Sequence, residues 1–159
     1  RVAILDIDYH HGNGTQQMFY EREDVSFLSI HADPDRKYPY FSGRTDETGA
    51  GQGLGHNRNL PLGPGIDLDG YLAVLEDAAV FLQSGRPDFL VISLGTDTCV
   101  EDPLGDFCLE RGDFPEIGRR LGRTDCPTLF VQEGGYSLES MGDCVSGVLH
   151  GFQDVGLRP

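Results

Sequence analysis

Four short apolar segments alternate with amphipathic segments along this chain of 159 residues. The apolar segments are continuous and rich in Val, Ile, Leu and Phe, and they cover residues 2–8, 25–31, 88–97 and 128–136. Runs of this kind are typical of parallel β-strands that are covered on both faces. We therefore predict four parallel strands at the centre of the fold.

Helical periodicity marks the segments between and after these strands, and we predict helices within 14–24, 67–85, 112–123 and 137–152. The second of them, "DLDGYLAVLEDAAVFLQSG", has an apolar stripe formed by Tyr71, Leu72, Leu75, Ala78, Ala79 and Leu82. Strands that alternate with helices predict an α/β fold of three layers, in which helices cover both faces of a mainly parallel sheet.

Residues 32–65 show neither the helical nor the strand pattern of apolar residues, and they are rich in Gly, Pro and Asp. We predict a long loop here. A loop of this length within one compact domain usually carries function.

The charge of the chain narrows the classes of partner. The sequence has 26 acidic and 12 basic residues, giving a net charge of −14. A negative field of this size repels nucleic acid and anionic lipid and attracts cationic ligands. Because of this charge we do not expect a nucleic-acid partner. We do not expect a membrane partner either, since no apolar run approaches the roughly 18 residues of a membrane span.

The four cysteines, Cys99, Cys108, Cys126 and Cys144, show no C-x-x-C spacing. This pattern disfavours a structural zinc knuckle and does not indicate a disulfide framework. We expect free thiols in a reducing compartment, the cytoplasm.

Polar side chains follow the predicted strands where the strands end. Asp8 and His10 follow the first strand and Asp97 ends the third. The carboxyl ends of parallel strands meet at one edge of a sheet, and residues two apart in an extended segment point the same way. Two carboxylates and one imidazole with an open fourth position are typical of catalytic zinc, although iron, cobalt or manganese also accept these ligands.

Four separated motifs carry a resemblance to a known family: "DIDYHHGNGTQQMFYERED", "SIHADPDRKYPYFSG", "SLGTDTCVEDPLGDF" and "EGGYSLE". In order and spacing they resemble the histone deacetylase superfamily, closest to its acetylpolyamine amidohydrolase branch and to class II-like bacterial deacetylases. The resemblance covers nearly the whole chain and implies the arginase/deacetylase fold.

The resemblance implies hydrolysis of the acetyl amide of acetyl-lysine or an acetylpolyamine, giving acetate and a free amine. It assigns Asp8, His10 and Asp97 as zinc ligands and Tyr136 as the donor to the substrate carbonyl and to the negative charge that develops on it. Gly135 and Tyr38 match substrate-binding positions, although the family usually has phenylalanine where this chain has Tyr38.

The resemblance also implies structural potassium. Asp6 and Ser29, with main-chain oxygens of Asp8, His10 and Ile30, match a potassium site behind the zinc. Main-chain oxygens of Phe19, Arg22 and Val25 match a second potassium site.

One element of the family pattern is not found in this sequence. The family transfers protons through a tandem histidine pair that precedes the D-x-H strand, and His10-His11 is not that pair, because His10 is the predicted ligand. We expect His11 to make local contacts and His31 to be structural. Residues 1–159 are therefore interpreted as the C-terminal portion of one deacetylase catalytic domain whose N-terminal part is absent, and we expect this portion alone to be inactive.

Other hypotheses stay open. A non-catalytic metal-binding or interaction module would keep the sheet and the metal site without turnover. An arginase-like binuclear manganese enzyme shares the general fold, but its motif has an aspartate where this chain has Gly12. The acetylated substrate, its acyl length and the oligomeric state are not fixed, and a homodimer of the complete protein is compatible with the resemblance.

Overall fold

The computed structural model describes residues 1–156, which form one parallel five-stranded sheet with four α-helices. The strands are β1 (Val2–Asp6), β2 (Val25–Ala32), β3 (Asn57–Leu62), β4 (Phe89–Leu94) and β5 (Thr128–Gln132). Their order across the sheet is β3-β2-β1-β4-β5, and every neighbouring pair is parallel. The parallel sheet predicted from the apolar segments is confirmed.

All four predicted helices are present: α1 (Asn13–Phe19), α2 (Leu68–Ser84), α3 (Phe114–Leu121) and α4 (Met141–Gly156). Short 3₁₀ turns lie at Gly51–Gly53 and Arg111–Asp113. The side chain of Asp67 accepts a hydrogen bond from the Gly70 N–H, which satisfies one of the free donors at the start of α2. Of the predicted stripe on α2, only Ala79 is partly exposed, and the other five residues are buried.

The prediction of an unbroken loop over 32–65 was wrong, because β3 lies inside it. This strand pairs along β2 from Phe27 opposite Asn57 to Ala32 opposite Leu62. Its sequence, "NRNLPL", contains Asn and Pro, which are depleted in strands. Pro61 is tolerated because β3 is at the edge of the described sheet, where a missing N–H donor breaks no pairing on the outer side.

The helices lie on both faces of the sheet, as predicted. On one face α2, α3 and α4 pack with alternate strand residues into the main core, which includes Leu5, Leu28 and Ile92. On the other face α1 contributes Phe19 to a small cluster around Ile4 and Phe27.

Near β5, none of the described residues covers this second face of the sheet. Phe89 and Leu129 are 56% and 60% exposed, and Val131 is 38% exposed. The strand register places them on the same face as Val2 and Val91, which belong to the small cluster. An apolar strip of the sheet surface is therefore open to solvent.

No helix among residues 1–156 combines the length and the apolar character needed to cross a bilayer.

The free cysteines differ sharply in environment, which predicts a pattern of alkylation. Cys99 and Cys144 are buried and Cys108 is exposed. Burial, together with the neighbouring Cys99, raises the pKa of the Cys144 thiol to about 12. Because the thiolate is the reactive form, iodoacetamide at pH 8 should label Cys108 quickly and leave Cys99 and Cys144 unlabelled until the protein is denatured. Peptide mass spectrometry measures this, and equal labelling of all three in the native protein would contradict the packing.

Candidate active site

The site is built at the carboxyl edge of the sheet from the segments that leave three neighbouring strands. The chain passes from β1 through Asp8 and His10, from β4 to Asp97, and from β5 through the glycine pair to Tyr136. Because β4 lies between β1 and β5, all three segments leave the sheet side by side. Strands predicted to reach residues 8, 97 and 136 end earlier, since the polar residues turn away from the ladder to form the site.

Asp8, His10 and Asp97 come together as a compact set of metal-ligand atoms. One ligand atom from each lies within 4.8 Å of the other two. His10 Nδ1 is 2.9 Å from Asp97 Oδ2 and 3.4 Å from Asp8 Oδ1. Two carboxylates and one imidazole on buried or half-buried side chains fit a divalent transition metal with an open coordination position.

Backbone donors fix the direction of both carboxylates. The N–H of Tyr9 donates to Asp97 Oδ1 at 3.0 Å, and the N–H of Gly134 donates to Asp8 Oδ2 at 2.7 Å. The His10 N–H donates to Asp8 Oδ1 at 2.7 Å. Such contacts around ligands orient them before a metal arrives and raise its affinity.

The charges at the site favour a cation. Hydrogen bonds and charge from Asp8 and Asp97 raise the pKa of His10 to about 9. Burial and the charge of Asp8 raise the pKa of Asp97, while hydrogen bonds, chiefly from His10, hold the pKa of Asp8 below its usual value against the effect of burial. A metal held by these three residues would take the place of the proton on His10 and would neutralise the two carboxylates.

Asp6 lies behind this set and is also buried. It accepts hydrogen bonds from the Asp8 and Gly12 N–H groups at 3.1 and 3.0 Å and from the Ser29 hydroxyl at 3.0 Å. Burial and the charge of Asp8 raise the pKa of Asp6 to about 8. Asp6 and Ser29, two residues predicted to hold potassium, are thus in contact, and Ile30 is buried in β2 directly after Ser29.

The second predicted potassium site lies where α1 leads into β2. The Phe19 carbonyl accepts a hydrogen bond from the Arg22 N–H at 3.0 Å, and Val25 begins β2. The assignment of both potassium sites stays a prediction.

An open cavity of about 690 Å³ joins the predicted substrate residues to the metal-ligand set, since Asp8, His10, Tyr38 and Tyr136 all line it. The side chains of Tyr38 and Tyr136 are 56% and 53% exposed, and the Tyr38 ring centroid is 6.2 Å from that of His10. Gly135 is not among the cavity residues. It has φ of +142°, and a Cβ there would lie 2.2 Å from Thr96 Oγ1, so this position requires glycine.

The other two histidines at this edge of the sheet make structural contacts, as expected. His11 Nε2 is 3.0 Å from Gln16 Oε1, and the His31 ring lies 2.9 Å from both Ser29 Oγ and the Gly43 carbonyl. Burial lowers the pKa of both rings, that of His31 to about 4. Both are therefore neutral near pH 7, and they connect the loop around Gly43 to the back of the site.

Asp102 contacts the backbone of the Tyr136 segment and was not predicted from the sequence. Its buried carboxylate accepts hydrogen bonds from the Tyr136 N–H at 2.6 Å and the Ser137 N–H at 3.1 Å through Oδ2, and from the Leu104 N–H at 3.0 Å through Oδ1. In the sequence, the Asp-Pro pair at 102–103 signals only a turn. The contact between Asp102 and Tyr136 joins residues far apart in the chain, so it gives no local pattern in the sequence.

Comparison with known proteins establishes the family. The model of the histone deacetylase domain matches residues 1–152. The chain belongs to the histone deacetylase family. Acetylpolyamine amidohydrolase 1 of Pseudomonas aeruginosa is 52% identical over 153 residues, which are 96% of this chain and 44% of that protein. Acetylpolyamine amidohydrolase 2 of the same organism is 49% identical over 98% of this chain and 45% of its own length.

Solved structures agree with this assignment. The crystal structure of acetylpolyamine aminohydrolase from Burkholderia pseudomallei matches with a TM-score of 0.94 at 42% identity, over 98% of this chain and 45% of that one. The sheet and helices are thus those of the arginase/deacetylase fold. The chain spans a little under half the length of these relatives.

Gly134 offers a test of the metal-ligand set. A Cβ on Gly134 would lie 2.5 Å from both Asp8 Oδ2 and Asp97 Oδ2, so both carboxylates would have to move. We predict that Gly134→Ala weakens Co²⁺ binding, measured by calorimetric titration, by roughly tenfold to a hundredfold, the usual cost of disturbing the surroundings of ligands.

Gly142→Ala is the matched control, because a Cβ on Gly142 meets no atom within 4 Å. Unchanged Co²⁺ affinity in Gly134→Ala would show that the metal binds elsewhere.

Proposed function

We propose that residues 1–159 are the C-terminal portion of the catalytic domain of a zinc-dependent deacetylase. The reaction is hydrolysis of the acetyl amide of an acetylpolyamine or an acetyl-lysine side chain to acetate and a free amine. The observation that carries the proposal is the convergence of Asp8, His10 and Asp97 with Tyr136 on one cavity in a chain of this family.

Asp8, His10 and Asp97 would hold the metal. When bound, zinc supplies a positive charge that polarises the amide carbonyl and makes a water more acidic. Fe²⁺ and Co²⁺ suit the same three ligands. The proposal includes structural potassium at Asp6 and Ser29, with main-chain oxygens of Asp8, His10 and Ile30 in the site.

Tyr136 would donate a hydrogen bond to the carbonyl oxygen of the substrate as negative charge grows there. Burial and the carboxylates of Asp97 and Asp8 raise the pKa of Tyr136. Its hydroxyl therefore stays protonated near pH 7 and remains a donor. A donor that acts on charge present only during the reaction speeds the chemical step rather than substrate binding.

The substrate we favour is an acetylated polyamine. The negative charge of the chain attracts a substrate that carries further ammonium groups. The exposed ring of Tyr38 at the cavity gives an apolar wall for the aliphatic stem of such a substrate. The names of the relatives support the same choice.

A cytoplasmic location fits the free cysteines, and a homodimer of the complete protein is part of the proposal.

The bare strip of the sheet surface supports the proposal that further chain completes the domain. Phe89, Leu129 and Val131 expose apolar area of the kind that folded domains cover. In the complete protein, residues outside this sequence would cover the strip and supply the groups that transfer protons. For the same reason the chain alone is expected to be inactive.

The metal requirement is tested with Asp97→Asn, which keeps the shape of the side chain and removes its charge. We expect about one zinc per chain in the parent protein. In the variant, zinc affinity should fall by at least roughly a hundredfold, since a ligand rather than its surroundings is lost. Metal analysis after dialysis measures both, with the exposed Asp125→Asn as control.

Stoichiometric zinc in Asp97→Asn would remove Asp97 from the ligand set. Two manganese ions per chain in the parent would favour a binuclear, arginase-like site instead.

The role of Tyr136 is tested by Tyr136→Phe in the complete protein. Loss of one such donor costs on the order of 3 kcal/mol, so kcat for acetate release from an acetylpolyamine should fall roughly a hundredfold while zinc stays bound. Tyr40→Phe is a control, because Tyr40 is an exposed aromatic residue of the neighbouring loop that does not line the cavity.

Near-normal turnover in Tyr136→Phe would exclude this role. A complete parent protein that binds zinc and releases no acetate would favour the non-catalytic module.

A further inference from the structure

Tyr136 is held in place by its main chain rather than by packing of its side chain. The side chain is 53% exposed, and the residue follows the pair Gly134-Gly135, whose backbone is intrinsically flexible. A half-exposed side chain after two glycines has little to define its position. The contacts that restrain this segment must therefore be contacts to its backbone.

One of those contacts is the bond from the Gly134 N–H to Asp8 Oδ2 at 2.7 Å, and the others described below come from the loop that also carries Asp97. The Thr96 N–H donates to the Gly134 carbonyl at 2.8 Å. Asp102 Oδ2 accepts from both the Tyr136 and the Ser137 N–H, at 2.6 and 3.1 Å. Asp102 is only 5% exposed. Bonds from N–H groups to a buried carboxylate are shorter and stronger than bonds between neutral groups, so Asp102 restrains the Tyr136 and Ser137 backbone strongly.

The loop itself is closely folded around Asp97. A Cβ on Gly105 would lie 2.0 Å from the Asp97 carbonyl oxygen, so only glycine allows the loop to return this near to Asp97. The Asp102 carboxylate is turned back into the same loop, where Oδ1 accepts from the Leu104 N–H. The metal-ligating Asp97 and the support of Tyr136 thus belong to one short, internally bonded segment.

We propose that Asp102 is a positioning residue for Tyr136: by binding the Tyr136 and Ser137 N–H groups, it fixes the tyrosine relative to the metal-ligating Asp97. The inference rests on the proposed function. A donor to a developing oxyanion acts only within hydrogen-bond distance, and a displacement of about 1 Å can cost a hundredfold in rate. Asp102 therefore affects the chemical step without touching substrate or metal.

The test uses the complete protein with Asp102→Asn, which keeps the size of the side chain and loses its charge. We expect kcat to fall by about tenfold or more, with KM and zinc content close to those of the parent. In a Tyr136→Phe background, the same change should alter kcat by less than about twofold, because the group it positions is already gone. Asp102→Glu, which keeps a carboxylate, should recover part of the activity.

The control is Glu101→Gln, an exposed neighbour in the same loop whose carboxylate pairs with Arg111. Its kcat should match that of the parent. Hydrogen–deuterium exchange adds a readout independent of turnover: exchange of the Tyr136 and Ser137 amides should speed up by at least about tenfold in Asp102→Asn and not in Glu101→Gln.

The inference would be overturned by parental kcat in Asp102→Asn, by an equal loss in the parent and Tyr136→Phe backgrounds, or by unchanged exchange of the two amides. Loss of zinc together with activity would also overturn it, since Asp102 would then act through Asp97. If the parent releases no acetate, the proposed function fails, whereas the exchange experiment still decides whether Asp102 holds the tyrosine backbone.

Discussion

Three carboxyl groups, those of Asp6, Asp8 and Asp97, are withdrawn from water at one edge of the sheet, and the local structure depends on how negative charge on them is accommodated. Removing an ion from water costs several kcal/mol unless opposite charge and hydrogen bonds replace the lost hydration. Here backbone N–H groups of Tyr9, Gly12 and Gly134 supply part of the replacement. The two carboxylates beside His10 still attract a proton to its ring, which shows how strongly this point in the fold favours positive charge.

The parallel sheet is what allows such a concentration of charge. Because β1, β4 and β5 are neighbours, residues far apart in sequence leave the sheet at one point, and the N–H groups there are free of ladder partners. Glycine at 95 and 134 lets the backbone approach the carboxylates, since a Cβ at either position would lie within 2.5 Å of an Asp8 oxygen. Gly134 also leaves the Tyr136 segment without a side chain to pack at this position, so hydrogen bonds supply much of the order of the segment.

The separation along the sequence between interacting residues determines how much of the fold and of the candidate site could be predicted. The apolar runs and the period of α2 reflect burial by neighbours along the same element, and they predicted four strands and four helices. The Asp8/His10 spacing and the position of Asp97 after a strand pointed to one edge of a sheet. The strand β3 escaped prediction because its edge position tolerates Pro61 and polar residues. Asp102 was not predicted because the partners that place it at the site lie 34 and 35 residues away, and its local bond to the Leu104 N–H is that of an ordinary turn aspartate.

The two parts of the candidate site, the Asp8/His10 pair and Tyr136, are therefore held in place in different ways. Asp8 and His10 follow β1, a strand with neighbours on both sides, so their positions derive from the core. Tyr136 follows β5, which is one of the two edge strands among the described residues and has an apolar face open to solvent. The loop from Thr96 to Asp102 joins these parts, since it contributes Asp97, a predicted ligand, on one side and hydrogen bonds to the tyrosine segment on the other. Any chain that covers the bare strip beside β5 would stabilise the strand that leads to Tyr136, so burial of the strip and order in the Tyr136 segment would be coupled through β5 itself.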